Sequence, residues 1–277
     1  MRTLVAGPNA IDKKAEKSFV VSPLPGMTED EFAELAQSIL IMIPHRVSEG
    51  INPELAINFG TWARYGTPLS MAKDPHGGFI EAVRGGMVRQ FLEYAEDRPQ
   101  IKYLVMCDAD QGIDWDAPYR LCQWDRPVVS GVICSIGSNR GIFANFTIKD
   151  KHTGIGRFPS YNYTRRMPSK GIVKADRLGT GLIAVRKDVF EVLDQNGEIP
   201  FYIPDDIRRK GAAIGTMKKG EDIVFSEQCE KYGFDRWVDL SVHGSHHKTV
   251  AIRWPADALD PNLDVDSWDV SEHDHTY

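Results

Sequence analysis

The chain has 277 residues, of which 42% are hydrophobic, 10% aromatic and 26% charged, with a formal net charge of -6. That length suits one large domain or two small ones, and the composition excludes a wholly disordered, collagen-like or disulfide-scaffold chain. The longest apolar run, Ile39 to Pro44, is far short of the ~20 residues that span a bilayer.

Met1 to Ala10 carries one Arg and no long apolar core, so no secretory leader is expected. The first thirty residues are loop-rich, punctuated by Pro23, Pro25 and Gly26. Thr28 followed by Glu31 resembles a capping box and predicts a short helix through Ala36 or Gln37. Ser38 to Pro44 is a continuous apolar run closed by proline, the pattern of a strand buried on both faces. Asn52 to Tyr65 has helical spacing (Leu55, Phe59, Trp62), with Asn52 as cap and Pro53 in the first position. A second strand is predicted at Thr67 to Ala72. Phe79 to Glu96 reads as an amphipathic helix with Phe79, Ala82, Val83, Met87, Phe91 and Ala95 on one face. Gly85 and Gly86 each weaken its middle by roughly 1 kcal/mol.

Lys102 to Cys107 is another buried-strand run, stopping at Asp108-Ala109-Asp110. A helix from Ala117 to Trp124 and a strand from Pro127 to Ser135 follow. After a long polar stretch, Gly179-Thr180-Gly181 leads into a strand at Leu182 to Val185 and a helix at Lys187 to Gln195. The last elements are a helix at Glu221 to Tyr232 and a strand at Arg236 to Val242. This alternation predicts an α/β fold with a mostly parallel sheet flanked by helices. The expected organisation is an N-terminal arm with a short helix over 1–37, one domain over 38–254 and an acidic tail over 255–277.

Cys107, Cys122, Cys134 and Cys229 show no CxxC spacing, and Cys107 and Cys134 read as small core residues. The expected setting is a reducing cytoplasm. Charge is distributed unevenly. Arg140 to Arg177 holds nine Lys/Arg against two acidic residues, so it carries +7 and the remainder -13. Phe143, Phe146, Phe158, Tyr161 and Tyr163 are interleaved with those cations. A solvated loop and a surface for a polyanionic partner both fit that stretch. Pro255 to Tyr277 has seven acidic residues and no Lys or Arg, the pattern of a solvated or loosely docked tail.

In open α/β sheets ligands sit beyond the carboxyl ends of the strands. Asp108 and Asp110 stand at such an end and offer hard oxygen ligands to a divalent cation; a surface turn or helix cap uses the same residues. Glu221 and Asp222 open a helix, which suits either function or the helix dipole. His243, His246 and His247 cluster after the last strand, in what reads as a glycine-containing loop. Gly179 and Gly181 permit close backbone approach to a ligand, or simply a tight turn. No GxxxxGK[ST], GxGxxG after a strand, GxSxG or HExxH is present, which argues against a P-loop kinase, a standard dinucleotide dehydrogenase, the usual serine hydrolases and zincin proteases.

In this order the pieces resemble the metal-dependent GT-A glycosyltransferases, especially the small GT-A-like proteins common in bacteriophage genomes. The matching segments are Ile41 to Pro44, Ala82 to Gly85, Tyr103 to Asp110, Arg126 to Val132, Gly179 to Phe190, Gly220 to Phe225, and Trp237 to His246. The resemblance implies a GT-A-like, Rossmann-like sheet and transfer of a sugar from a nucleoside-diphosphate sugar, UDP-sugar favoured, to a hydroxyl. It implies Asp108, Asp110 and His246 at a Mn2+ or Mg2+ ion that neutralises charge on the departing diphosphate. It further implies Arg84 on the diphosphate or nucleotide, Pro44 and His45 at the nucleoside, Gly179, Thr180 and Gly181 at the nucleotide-sugar, and Glu221 or Asp222 at the acceptor as general base or sugar-positioning group. The Asn that follows the Arg in that family is Gly85 here.

The segment bordering the acceptor in such enzymes is the +7 stretch, and phosphate attraction scales with the charges neutralised. A hydroxymethylated pyrimidine in phage DNA, reached by base flipping, is therefore one expected acceptor, with a host-cell cytoplasmic location. A glycan, lipid-linked or protein hydroxyl is the other. Two rival readings are a nucleotidyltransferase of similar fold, for which Ile43 to Gly50 makes a poor glycine-rich loop, and a non-catalytic nucleotide- or nucleic-acid-binding module.

Overall fold

The run Ile39 to Ile43 divides its side chains between two cores, and that division organises the molecule. In the computed structural model, which describes residues 24–46, 50–74, 80–136, 142–149, 156–159, 167–204, 220–247, 251–252 and 262, this run lies in β1 (Ile39–Arg46). Ile39, Ile41 and Ile43 enter one core, and Leu40 and Met42 the other. β3 (Tyr103–Cys107) splits the same way, Val105 and Cys107 against Leu104 and Met106. Alternation across a pleat with both faces covered is why these strands read as unbroken apolar runs. Each such side chain contributes about 1.5–3 kcal/mol by leaving water.

The central sheet runs β2 (Leu69–Asp74), β1, β3, β11 (Leu182–Arg186), β5 (Val128–Ile136), β12 (Arg236–His247) and β13 (Ala251–Ile252). β2, β1, β3, β5 and β12 point one way; β11 is antiparallel to both β3 and β5, and β13 is antiparallel to β12. One face is covered by α3 (Ile80–Glu96), α5 (Lys187–Gln195) and α6 (Glu221–Lys231), through Phe91, Phe190 and Phe225 among others. The other is covered by α1 (Glu29–Gln37), α2 (Pro53–Arg64) and α4 (Ala117–Cys122), through Phe32, Trp62 and Tyr119. This is the α/β architecture expected, a mostly parallel sheet flanked by helices. All four cysteines are free and buried. Among the described residues no helix is long and apolar enough to cross a membrane.

The predicted capping box is present: Glu31 N–H donates to Thr28 Oγ1 at 3.3 Å, and Thr28 N–H to Glu31 Oε2 at 2.7 Å. Asn52 caps α2 by accepting from Glu54 N–H at 2.7 Å.

Several boundaries differ from expectation for identifiable reasons. β1 does not stop at Pro44. Its pairing with β3 ends at Met42, while β2 continues alongside to Arg46, so the missing proline N–H costs no bond on the open β3 side. The buried face of α3 begins with Glu81 and Arg84, while Ala82 is exposed. β12 runs five residues past Val242, carrying the three histidines on a strand and not in a loop. It does so by a bulge between Asp239 and His243 and by pairing with β4 (Gln111–Ile113), a three-residue strand too short to show a sequence pattern.

The basic stretch also holds strands that no apolar periodicity announces: β6 (Ile142–Ala144), β7 (Phe146–Lys149), β8 (Gly156–Arg157), β9 (Ile172–Ala175) and β10 (Arg177–Leu178). β6 and β9 join the main sheet, while β10, β7 and β8 form a small one. Residues 1–23 and most of the acidic tail lie outside the described residues, as do Arg140, Lys151, Tyr161, Tyr163, Arg165 and Arg166.

Candidate functional site

Where β1, β3 and β5 end and β11 begins, their ends leave a cleft of about 380 Å³, within the roughly 300–1,000 Å³ of small-molecule sites. Pro44 comes from the end of β1, Asp108 and Asp110 from the turn after β3, and Gly179, Thr180 and Gly181 from the turn before β11. Arg84 arrives from α3, Glu221 and Asp222 from the first turn of α6, and His246 from β12. These expected site residues are brought to one cleft. The backbone of His45 follows Pro44 in β1, and its side chain lies outside the described residues.

The Asp108–Asp110 turn is held from every side. Asp108 N–H donates to the Gly181 carbonyl at 2.8 Å, and Gln111 N–H closes the turn on the Asp108 carbonyl at 3.0 Å. Asn52 N–H reaches the Ala109 carbonyl and His247 N–H the Asp110 carbonyl, each at 2.8 Å. The register His246↔Gln111 sets His246 beside Asp110.

His246 Nε2 is 3.2 Å from Asp110 Oδ2, and its Nδ1 is 3.3 Å from the Cys134 carbonyl. An Nδ1–H donated to that carbonyl leaves the Nε2 lone pair toward Asp110, the usual orientation of a metal-binding imidazole. Neighbouring ligand atoms around an ion bound at about 2.1 Å stand about 3 Å apart, so the pair fits a divalent cation. Asp108 is differently engaged: its Oδ1 accepts from Arg84 Nη2 at 2.6 Å. Among the described residues no group of three or more His, Cys, Asp or Glu forms a ready-made cage. Two protein ligands with substrate phosphates and water completing the shell is a common way to hold Mg2+.

Arg84 is the buried centre of the other side. Its side chain is 3% exposed and bridges Asp108 and Glu221, its Nη1 meeting Glu221 Oε1. Burial works against its charge, but Asp108 and Glu221 more than offset this and hold it above the usual arginine value. Burial pushes the Glu221 carboxyl up, and Arg84 offsets only part of that. Asp222 is also pushed up by burial, although it accepts Ile223 N–H at 2.8 Å. One cation among Asp108, Glu221 and Asp222 leaves an excess of negative charge, so ionisation of the helix carboxylates is disfavoured.

The other two histidines do not line the cleft. His243 is within hydrogen-bond distance of the Leu240 carbonyl at 2.8 Å, and burial lowers its basicity; His247 Nε2 meets Ser245 Oγ at 2.7 Å. Gln111 and Asn145 line the cleft and were not singled out from sequence. Gln111 had a signal, its place directly after Asp110; Asn145 had none.

The basic stretch is largely neutralised where it is described. Lys149 pairs with Glu230 at 3.0 Å and Asp176 at 3.3 Å, Arg177 with Glu230 at 2.8 Å, and Lys174 with Asp235 at 2.6 Å.

No protein-family model matches the chain, and no curated protein matches it. Solved structures with a similar fold include the A197 protein of STIV, at 14% identity and a TM-score of 0.46, covering 76% of this chain and 85% of that one. GalNAc-T7, solved with UDP, GalNAc and Mn2+, matches at 10% identity and a TM-score of 0.42, over 76% of this chain and 43% of that one. A nucleoside-diphosphate-sugar pyrophosphorylase from Vibrio cholerae matches at 12% identity and a TM-score of 0.36, over 89% of this chain and 90% of that one. At such values the likeness carries no function from those chains to this one.

Proposed function

We propose that this chain is a metal-dependent glycosyltransferase of the GT-A type, moving a sugar from a nucleoside-diphosphate sugar, UDP-sugar favoured, to a hydroxyl acceptor. The observation that carries the reading is the Asp110–His246 pair, 3.2 Å apart, in the same cleft as the Arg84-centred carboxylates. Asp110 and His246 would hold Mn2+ or Mg2+, which supplies charge neutralisation to the leaving diphosphate. Asp108, fixed by Arg84, faces the nucleotide-sugar, and Pro44 with His45 borders the nucleoside. The Gly179–Gly181 turn brings backbone close to the bound donor.

Glu221 and Asp222 are the candidate acceptor groups. A carboxylate pushed up by burial takes a hydroxyl proton more readily than an ordinary one, so either suits the base of an inverting transfer. Arg84 positions Asp108 and Glu221 through its two outer nitrogens, and its buried Nε, unpartnered among the described residues, with its remaining N–H groups would serve the diphosphate or nucleotide. The ion pairs of Lys149, Lys174 and Arg177 weaken their attraction for phosphates, so the proposal does not extend to a nucleic-acid acceptor.

The test is a thermal-shift screen with UDP, GDP, CMP, UDP-sugars and nucleoside triphosphates, each with and without Mn2+. A ligand at a hundredfold excess over its dissociation constant adds ~2.7 kcal/mol, or roughly 5–10 °C at ~2–4 °C per kcal/mol. A shift that needs one nucleotide and the metal together supports the transferase. A shift with nucleoside triphosphates and none with sugar nucleotides favours a nucleotidyltransferase, and no shift with any pairing sinks the reading.

A further inference from the structure

Two side-chain amides in the cleft are anchored at one end and unpartnered at the other. Gln111 is 2% exposed. Its Nε2 donates to Asp110 Oδ1 at 3.4 Å, and its buried Oε1 has no donor among the described residues. Asn145 is fixed the opposite way round: its Oδ1 accepts the Ile133 N–H at 2.9 Å, and its buried Nδ2 has no acceptor among the described residues. Exchanging O and N in either amide would set acceptor against acceptor or donor against donor, so the neighbours determine both orientations. Leaving a buried polar atom unmatched costs about 1–3 kcal/mol, and folded proteins keep few of them.

Both amides rest on the same backbone turn. A Cβ on Gly181 would stand 3.2 Å from Gln111 Nε2, and one on Gly179 would stand 3.0 Å from Asn145 Nδ2. Gly181 therefore admits the Gln111 amide, and Gly179 admits the Asn145 carbonyl, 2.8 Å from that Cβ, together with the Asn145 amide. The result is one unmatched acceptor and one unmatched donor beside a single turn, on two residues that line the cleft with Asp110.

We propose that Gln111 and Asn145 are the specificity pair for the sugar of the donor, Gln111 Oε1 accepting from one ring hydroxyl and Asn145 Nδ2 donating to another oxygen of the same ring. This rests on the glycosyl-transfer reading. Phosphate oxygens only accept, so a diphosphate satisfies Asn145 and leaves Gln111 Oε1 unmatched. A sugar hydroxyl both donates and accepts, and two on one ring answer both amides. Sites built to bond a substrate hydroxyl discriminate strongly, because the wrong substrate leaves their polar groups unpaired.

The test compares the full chain with Gln111→Met, which keeps length and removes the acceptor, and Asn145→Asp, which keeps the Ile133 anchor and turns the donor into an acceptor. Each is titrated calorimetrically with Mn2+ alone, then in saturating Mn2+ with UDP against UDP-glucose and GDP against GDP-mannose. The expected result, read in saturating Mn2+, is that each variant loses roughly five- to a hundredfold more affinity for the sugar nucleotide than for the bare diphosphate, a ratio that cancels both the charge Asn145→Asp adds and the Mn2+ affinity Gln111→Met loses with its bond to Asp110. Equal weakening of both nucleotides or unchanged sugar-nucleotide binding would each overturn the pair. Should Gln111→Met fail to fold, Asn145→Asp carries the test alone. A wild-type chain that binds none of the four nucleotides defeats the transfer reading itself, and the pair with it.

Discussion

The two ends of α6 hold carboxylates perturbed in opposite directions. At its start Glu221 and Asp222 face the cleft, and burial pushes both up. In its last turn Glu230 is half-open to solvent and is pulled down to about 2 by Lys149 and Arg177. A helix dipole predicts the reverse, since it favours anions at the start and opposes them at the end by about 0.3–1 kcal/mol. Several kcal/mol of desolvation overrides it at the first end, and two adjacent cations override it at the second. Carboxylates kept where ionisation is disfavoured are what a reacting site needs. Glu230 is scaffold: it neutralises the basic stretch and ties β7 and β10 to the helix.

Removing the cation from the first end should have the largest effect. Arg84→Met leaves Asp108, Glu221 and Asp222 with no counter-charge in a buried site, a change that costs about 3–5 kcal/mol. The melting temperature should fall by roughly 6–20 °C, read by calorimetry at neutral pH. A drop of only a degree or two would mean that the carboxylates relax into water and that Arg84 does not organise the cleft.

Asp110 separates function from stability more cleanly. Its side chain is 39% exposed and pairs with His246, so Asp110→Asn should change stability by no more than ~1 kcal/mol. Its Mn2+ affinity should fall by more than the ~10–100-fold that loss of an outer-shell partner costs. Unchanged Mn2+ binding in a titration would remove Asp110 from the metal site.

That contrast marks how far the sequence was legible. β1 and β3 were readable because two-sided burial leaves an unbroken apolar run, and α1 and α2 because Thr28 and Asn52 are local caps. β6 to β10 were not, since they are two to four residues long, and β7, β9 and β10 also pair with partners far along the chain. The burial of Arg84 was invisible for a related reason: its partners lie 24 and 137 residues away, and helical periodicity pointed to Ala82 and Val83 instead. The histidine cluster was visible as a cluster. Only the register of β12 on β4 shows that His246 is the one beside Asp110.

The two ends of α6 should also answer pH with opposite signs. A carboxyl whose pKa is higher in the folded chain binds extra protons there, so the stability it contributes is present below its unfolded value and lost as pH rises through the folded one. For Asp222 the window opens at its ordinary 3.8 and extends upward. Asp222→Asn keeps an oxygen for the Ile223 N–H and escapes that loss, so it should gain on the wild type as pH rises from about 4 to 7. Constant melting difference across that range would mean Asp222 is not held up by burial.

Glu230→Gln should behave in the opposite sense and with the smallest amplitude. The folded value of Glu230 lies at about 2, below its ordinary 4.5, so its pairing is fully stabilising above 4.5 and lost as pH falls toward 2. At 42% exposure solvent screens most of the attraction, and the pair is worth at most ~1 kcal/mol, or roughly 2–4 °C. The deficit of the variant should therefore be greatest near neutral pH, close as the solution is acidified below 4.5, and shrink in molar salt, where screening shortens to ~3 Å. A deficit that persists at pH 2 or ignores salt would show that Glu230 holds β7 and β10 by packing and not by charge.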